Sequence, residues 1–242
     1  MDIKNIKTEF PIFQQKIKDK PLVYLDSANS SQKPKQVIDR LSSFYQTEYS
    51  NIGRSVHSLA VKATNRFEET RDIVKNYINA KHREEIIFTK GATESINLVA
   101  SSFGDSFINK GDEIIVSELE HHSNYVPWHF LRKKKGAVIK FAQVNINGEI
   151  EIDEIKKHIT NKTKIIAITH LSNVTGVIVP IKKIVDLAKE KNIAVLVDGT
   201  QGAPHLQLDM QDLGCDFYAI SCHKMYGPNG LGILYAKKKW VD

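Results

Sequence analysis

The sequence predicts an α/β fold: a mostly parallel seven-stranded sheet with helices on both faces. Three observations lead there. Short β-branched runs alternate with amphipathic helical stretches, the pattern of parallel strands joined by crossovers. Several runs, Ile165 to Ile168 most clearly, are apolar without alternation, as strands covered on both faces are. With 242 residues, 41% of them hydrophobic, the chain can bury a substantial core, as one large domain or one and a half small ones.

The elements follow in order. Two helical stretches, Lys35 to Tyr49 and Ser58 to Ala80, precede the sheet. The second sets Val61, Asn65, Glu68, Asp72 and Lys75 on one side and Ala63, Phe67, Val74 and Ile78 on another. Ile86 to Thr89 is the first sheet strand, followed by Gly91 and a helix from Thr93 to Ser102. Glu113 to Val116 is the next strand, with a helix near Asn124 to Lys135, then the strand Val138 to Phe141. A helix around Ile152 to Ile159 leads to the strand Lys164 to Thr169. A helix from Ile181 to Lys191 leads to Ala194 to Val197. Phe217 to Ile220 and Gly232 to Tyr235 close the series. No crossover helix fits between these last two, so one of them runs antiparallel to the rest.

Composition narrows the function classes. Charged residues make up 26% of the chain, and 34 Lys and Arg against 28 Asp and Glu leave a net charge of +6. The densest basic run, Arg132 to Lys135, sits before Gly136 at a helix end, where the helix dipole favours cations. No nucleic-acid recognition motif accompanies it. Cys215 and Cys222 are too few for a disulfide scaffold and wrongly spaced for a metal knuckle, so no metal is expected and a reducing cytoplasm fits. Met1 to Lys20 lacks the apolar run of a signal peptide. No stretch is long and apolar enough to span a bilayer, so no membrane partner is expected.

In folds of this kind ligands sit beyond the carboxyl ends of the strands. Four polar clusters lie there. Thr89-Lys90-Gly91-Ala92-Thr93-Glu94 joins a strand to a helix, and a helix N-terminus offers unpaired N–H groups to an anion. For this cluster taken alone, a plain helix cap is the more ordinary reading. Glu120-His121-His122-Ser123-Asn124 offers a ring that can stack on a flat ligand, although a histidine pair is often structural. Val197-Asp198-Gly199-Thr200-Gln201 places an Asp where it can pair with a cationic ring nitrogen. A cap or a Mg²⁺ ligand are its alternatives, and no phosphate-binding GxxxxGK[ST] loop supports a nucleotide. Ser221-Cys222-His223-Lys224-Met225-Tyr226-Gly227-Pro228 places a Lys directly after a buried strand. Burial lowers a lysine's pKa and frees its neutral amine for a Schiff base, while a snorkelling surface lysine is the commoner outcome. Together the clusters supply what pyridoxal 5′-phosphate (PLP) needs: hydroxyls at a helix N-terminus, a stacking ring, a carboxylate and a lysine.

On these residues the chain resembles the class V aminotransferase fold. Within it, the chain is similar to the SUF-type cysteine desulfurase and selenocysteine lyase group. The matching stretches are Tyr24 to Ala28 with Gln32-Lys33-Pro34, Arg54 to His57, Gly91 to Leu98, Glu120 to Asn124 with Val126-Pro127-Trp128, Thr169 to Gly176, Val197 to Gln201, and Ser221 to Pro228. They cover nearly the whole chain in the family's order. The resemblance implies a PLP-dependent transferase of fold type I, active on L-cysteine or L-selenocysteine. Lys224 would bear the cofactor and move the substrate's α-proton. Asp198 would keep the ring nitrogen protonated. His121 would stack on the ring and shuttle protons, and Gln201 would contact the phenolic oxygen. Thr93, Ser221, His223 and the backbone of Ala92 would hold the phosphate, and Asn173 would lie beside the substrate carboxylate.

The reaction so implied converts L-cysteine to L-alanine and a protein-bound persulfide, sulfur supply for iron–sulfur cluster assembly, with a homodimer and a sulfur-acceptor protein as partners. Other class V chemistry, or a non-catalytic scaffold, are the alternatives. Members of the group continue past the equivalent of Tyr235 into a small C-terminal domain bearing the acceptor cysteine and a carboxylate-binding arginine. Residues 31–242 therefore read as the PLP-binding large domain of a truncated or split form. Residues 1–30 read as a segment that packs on the missing domain, leaving Ile6, Phe10, Ile12, Phe13 and Leu22 short of cover. Cys222 stands where the family usually has a small residue, its thiol expected near the cofactor, where it could serve as a surrogate acceptor.

Overall fold

The computed structural model describes residues 3–241. The chain opens with α1 (Ile3–Thr8) and a two-stranded hairpin of β1 (Lys16–Ile17) and β2 (Lys20–Pro21). An irregular segment then leads to α2 (Lys35–Thr47) and α3 (Ser58–Tyr77). On the inner side of α3, Ala60 and Ala63 are buried and Phe67 and Val74 half-buried, with Ile78 buried just past its end, as the amphipathic pattern predicts.

The main sheet has seven strands: β3 (Ile86–Thr89), β4 (Glu113–Ser117), β5 (Val138–Ala142), β6 (Thr163–Thr169), β7 (Ala194–Asp198), β8 (Phe217–Ser221) and β9 (Gly232–Ala236). Their spatial order is β3-β9-β8-β7-β6-β4-β5. Pairings from β5 through β8 are parallel, while β9 runs antiparallel to both β8 and β3. The antiparallel strand expected among the last two is therefore β9. It inserts between β3 and β8 and brings Thr89, Gly232 and Ser221 side by side in register.

The crossover helices are α4 (Ala92–Phe107), α5 (Val126–Lys135), α6 (Ile152–His158) and α7 (Ile181–Lys189). Two four-residue helices, α8 (Gly202–His205) and α9 (Met210–Leu213), follow β7. α5 ends at Gly136 in the left-handed conformation, with Arg132 to Lys135 in its last turn as the dipole argument expects. α4 runs five residues beyond its predicted end because Phe103 and Phe107 stack against Trp240 from the far end of the chain, with ring centroids 5.3 and 5.4 Å away.

Alternate strand residues feed two cores, one on each face of the sheet. Ile115, Ile166, Ile168, Val195, Val197, Tyr218 and Ile220 face α6 and α7. Ile114, Val116, Ile165, Ala167, Leu196 and Phe217 face α4 and α5. Both faces being buried explains the unbroken apolar runs in the sequence.

Candidate active site

Five polar segments converge at the carboxyl edge of the sheet. All nine residues singled out from the sequence, Ala92, Thr93, His121, Asn173, Asp198, Gln201, Ser221, His223 and Lys224, line one cleft of about 200 Å³. Asn29, Ser123, Thr169, Leu171 and Thr200 complete its walls.

The start of α4 brings backbone donors to the cleft. A Cβ on Gly232 would meet the Gly91 backbone at 2.4 Å, so only glycine lets β9 lie this close to the start of α4. The Ala92 N–H donates to Ser221 Oγ at 2.9 Å, which leaves the Ser221 proton for a ligand. The first-turn N–H groups of α4 are the unpaired donors every helix start carries.

Two further strand ends bring an imidazole and a carboxylate to the cleft. His121 follows β4, and its Nδ1 is held by Ser123, from Oγ at 2.8 Å and from the backbone N–H at 3.2 Å. Asp198 ends β7, is 4% exposed, and accepts from the Thr200 N–H at 3.0 Å. Its strand is pinned from behind. Gly199 has no Cβ because one would fall 1.8 Å from the Tyr218 ring. Tyr218 Oη and His170 Nδ1 lie 2.8 Å apart, and burial holds the His170 imidazole down at about 4. Gln201 Nε2 donates to the Ala28 carbonyl at 2.6 Å, tying the irregular N-terminal segment across the cleft.

Lys224 closes a short 3-10 turn, Cys222–Lys224, at the end of β8. Burial lowers its pKa and the Asp198 carboxylate acts in the opposite sense, so the two groups face the same space. His223 is also held low, by burial first and then by the Lys224 and Lys33 charges.

Cys222 does not behave as expected. Its side chain belongs to the apolar core behind the turn and is not among the groups lining the cleft. Burial pushes its thiol up to about 11, and that of the fully buried Cys215 up to about 12. The turn that aims Lys224 into the cleft rotates the residue two positions earlier inward.

One important group was missed. Glu120, the residue before His121, accepts from Ser117 Oγ, Asn124 Nδ2 at 2.6 Å and the Thr169 N–H at 2.9 Å. Burial, with Asp198 adding repulsion, pushes its carboxyl up to about 8 despite those donors.

The class-V aminotransferase profile matches residues 23–242. The chain belongs to that family. Among the relatives, a protein of Halalkalibacterium halodurans named "Probable cysteine desulfurase" is 47% identical over 242 residues, all of this chain and 60% of that protein. One of the same name from Staphylococcus epidermidis (strain RP62A) is 50% identical over 241 residues, 58% of its length. This class-V chain thus spans about 60% of the length of the curated relatives it matches. Among solved structures, the cysteine desulfurase CsdA of Escherichia coli, in an S-sulfonic acid form, superposes with a TM-score of 0.89 at 37% identity, covering 99% of this chain and 59% of that one.

Proposed function

We propose that the cleft binds PLP covalently at Lys224 and that the chain carries the cofactor-binding part of an L-cysteine desulfurase. The observation that carries this is the shared cleft. A lysine whose charge is disfavoured by burial shares the cleft with a buried carboxylate, a histidine ring and the start of a helix. That donor set fits the cofactor part by part. When bound, PLP supplies an electron sink that loosens the bonds at the α-carbon of an amino acid.

The chain's own groups do the rest. Lys224, whose charge burial disfavours, would offer its amine for attachment and afterwards move the proton at the substrate α-carbon. Asp198, fixed by Thr200, holds a proton on the ring nitrogen. His121 stacks on the ring and shuttles protons. One Gln201 Nε2 hydrogen bonds Ala28, and the second is available to the phenolic oxygen. Thr93, Ser221 and His223 hold the phosphate with the start of α4, where the Ala92 N–H is shared with Ser221. Asn173 orients the substrate carboxylate.

The sulfur acceptor is neither Cys215 nor Cys222, since both thiols are buried and kept protonated. Substrates are L-cysteine or L-selenocysteine, and the setting is a reducing cytoplasm, with a second copy and a sulfur-acceptor protein as partners. Among the described residues, no helix is long and apolar enough to cross a membrane. Incubation with PLP gives a near-visible absorption band that Lys224→Ala abolishes, with borohydride reduction fixing the cofactor's mass on the Lys224 peptide. A wild-type protein without that band overturns the assignment. Alanine release from the two amino acids then ranks the substrates.

A further inference from the structure

We propose that Lys33 is a positioning residue: its ammonium clamps the His223 carbonyl and so fixes the turn that presents Lys224. The inference rests on the PLP reading for its functional meaning, but not for its geometry.

Residues 24–33 cross the cleft as a strap. The His223 carbonyl, one peptide before Lys224, is approached by four donors of this strap. They are Lys33 Nζ at 2.8 Å, the Ser31 N–H at 3.0 Å, Ser31 Oγ at 3.0 Å and Ser30 Oγ at 3.5 Å. A carbonyl has two lone pairs, so these donors compete, and the charged, shortest one dominates. The same ammonium donates to the Ser31 carbonyl at 2.7 Å, which binds strap to turn through one atom. Ser31 Oγ also receives the Tyr226 N–H at 2.8 Å. Tyr226 has φ of 67°, a left-handed conformation unusual for a tyrosine, and its ring meets Phe10 at 5.9 Å. The backbone on both sides of Lys224 is thus held by the strap.

A lysine is a costly way to satisfy two carbonyls. Lys33 is partly buried, burial lowers its pKa, and no carboxylate pairs with it among the described residues. Neutral serines already reach the same carbonyl. The cation also places positive charge near His223, which adds to burial and the Lys224 charge in disfavouring a protonated imidazole there. The clamp therefore acts on the lysine turn in two ways, through geometry and through charge.

The test compares Lys33→Met, which keeps the stem and removes the charge, with Lys33→Arg, which keeps the charge and the donors. In the cofactor-free protein, the His223 imidazole titration followed by NMR moves to higher pH in Lys33→Met and stays near wild type in Lys33→Arg. Condensation of Lys224 with PLP, read from the near-visible band, slows roughly tenfold in Lys33→Met, as loss of one charge-assisted hydrogen bond predicts. The arginine restores most of that rate. Ser31→Ala, which keeps the cation but frees Tyr226, also slows condensation while leaving the His223 titration in place. This second variant decides the geometric part if Lys33→Met fails to fold. A Lys33→Met protein that is merely less stable, with His223 titration and condensation rate unchanged, overturns the clamp. If wild type takes up no PLP at Lys224, the functional assignment fails, and the cofactor-free titration still decides the clamp.

Discussion

Asp198 is held in place by residues that never reach the cleft. Tyr218 lies against Gly199 so tightly that no side chain fits there, and His170 fixes the Tyr218 hydroxyl. Gly199→Ala forces the ring or the strand end to move, and overpacking of this kind costs about 1–3 kcal/mol or more. A lowered urea midpoint, with weaker PLP binding, is the expected result; an unchanged midpoint refutes the packing argument. Glu120 gives a pH prediction of definite sign. Its folded pKa, about 8, lies above the ordinary 4.5, so the stability it contributes is present below pH 4.5 and lost as pH rises towards 8. His170, lowered from 6.5 to about 4, acts in the opposite sense below pH 6.5. Between pH 6.5 and 8 the His170 contribution is already complete, and the Glu120 slope, isolated as the difference from Glu120→Gln, cannot exceed about 1.4 kcal/mol per pH unit for a single proton. Unfolding free energies across that window should fall with pH in wild type and flatten in Glu120→Gln. Parallel curves for the two proteins sink the assignment.

At the scale of elements, β9 decides the site. By inserting antiparallel between β3 and β8 it aligns Thr89, Gly232 and Ser221, and Gly232 lets α4 begin against the sheet edge. Gly232→Ala drives a Cβ into the Gly91 backbone, which has no flexible atom to give way. Loss of anion affinity at the start of α4, measured by inorganic phosphate competing with PLP, should accompany a fall in stability; phosphate affinity equal to wild type argues against the alignment. The sequence made the seven strands legible, because each is a β-branched run between helical periods, and the shared cleft followed from clusters placed at strand ends. Other features left no such trace. The hairpin of β1 and β2 pairs only two residues per strand, and α8 and α9 are shorter than the period needed to recognise a helix. Glu120 stood in plain view beside His121, with Ser117 and Asn124 nearby in sequence, but its third donor, the Thr169 N–H, comes from the end of another strand. The strap's bonds to the lysine turn span about 190 residues of chain, which no local pattern encodes.

Across the whole molecule, burial is uneven. The sheet is covered on both faces, but the outward side of α2 and the segments flanking it are not. Phe44, Tyr45 and Tyr49 form an aromatic cluster with ring centroids 5.5–6.1 Å apart, and Tyr45 and Tyr49 remain 69% and 64% exposed. Leu25 and Val56 are 92% and 95% exposed. In the N-terminal segment Ile6 is exposed, while Phe10, Ile12, Phe13 and Leu22 are only half covered. A soluble monomer rarely leaves that much large apolar surface in water, because each such side chain gains about 1.5–3 kcal/mol when fully buried. The net charge of +6 is too small to hold copies apart at physiological ionic strength, where repulsion is screened within about 8 Å. The 242-residue chain should therefore associate. Sedimentation velocity over a range of concentrations should show a weight-average coefficient that climbs with protein concentration and persists in added salt, the mark of apolar rather than ionic contact. Replacing Leu25, Tyr45 and Tyr49 together by Ser should shift the distribution towards the monomer without changing the near-visible spectrum with PLP, since none of the three lines the cleft. A wild-type chain that sediments as a single monomeric species at every concentration would mean that these side chains find their cover within one molecule.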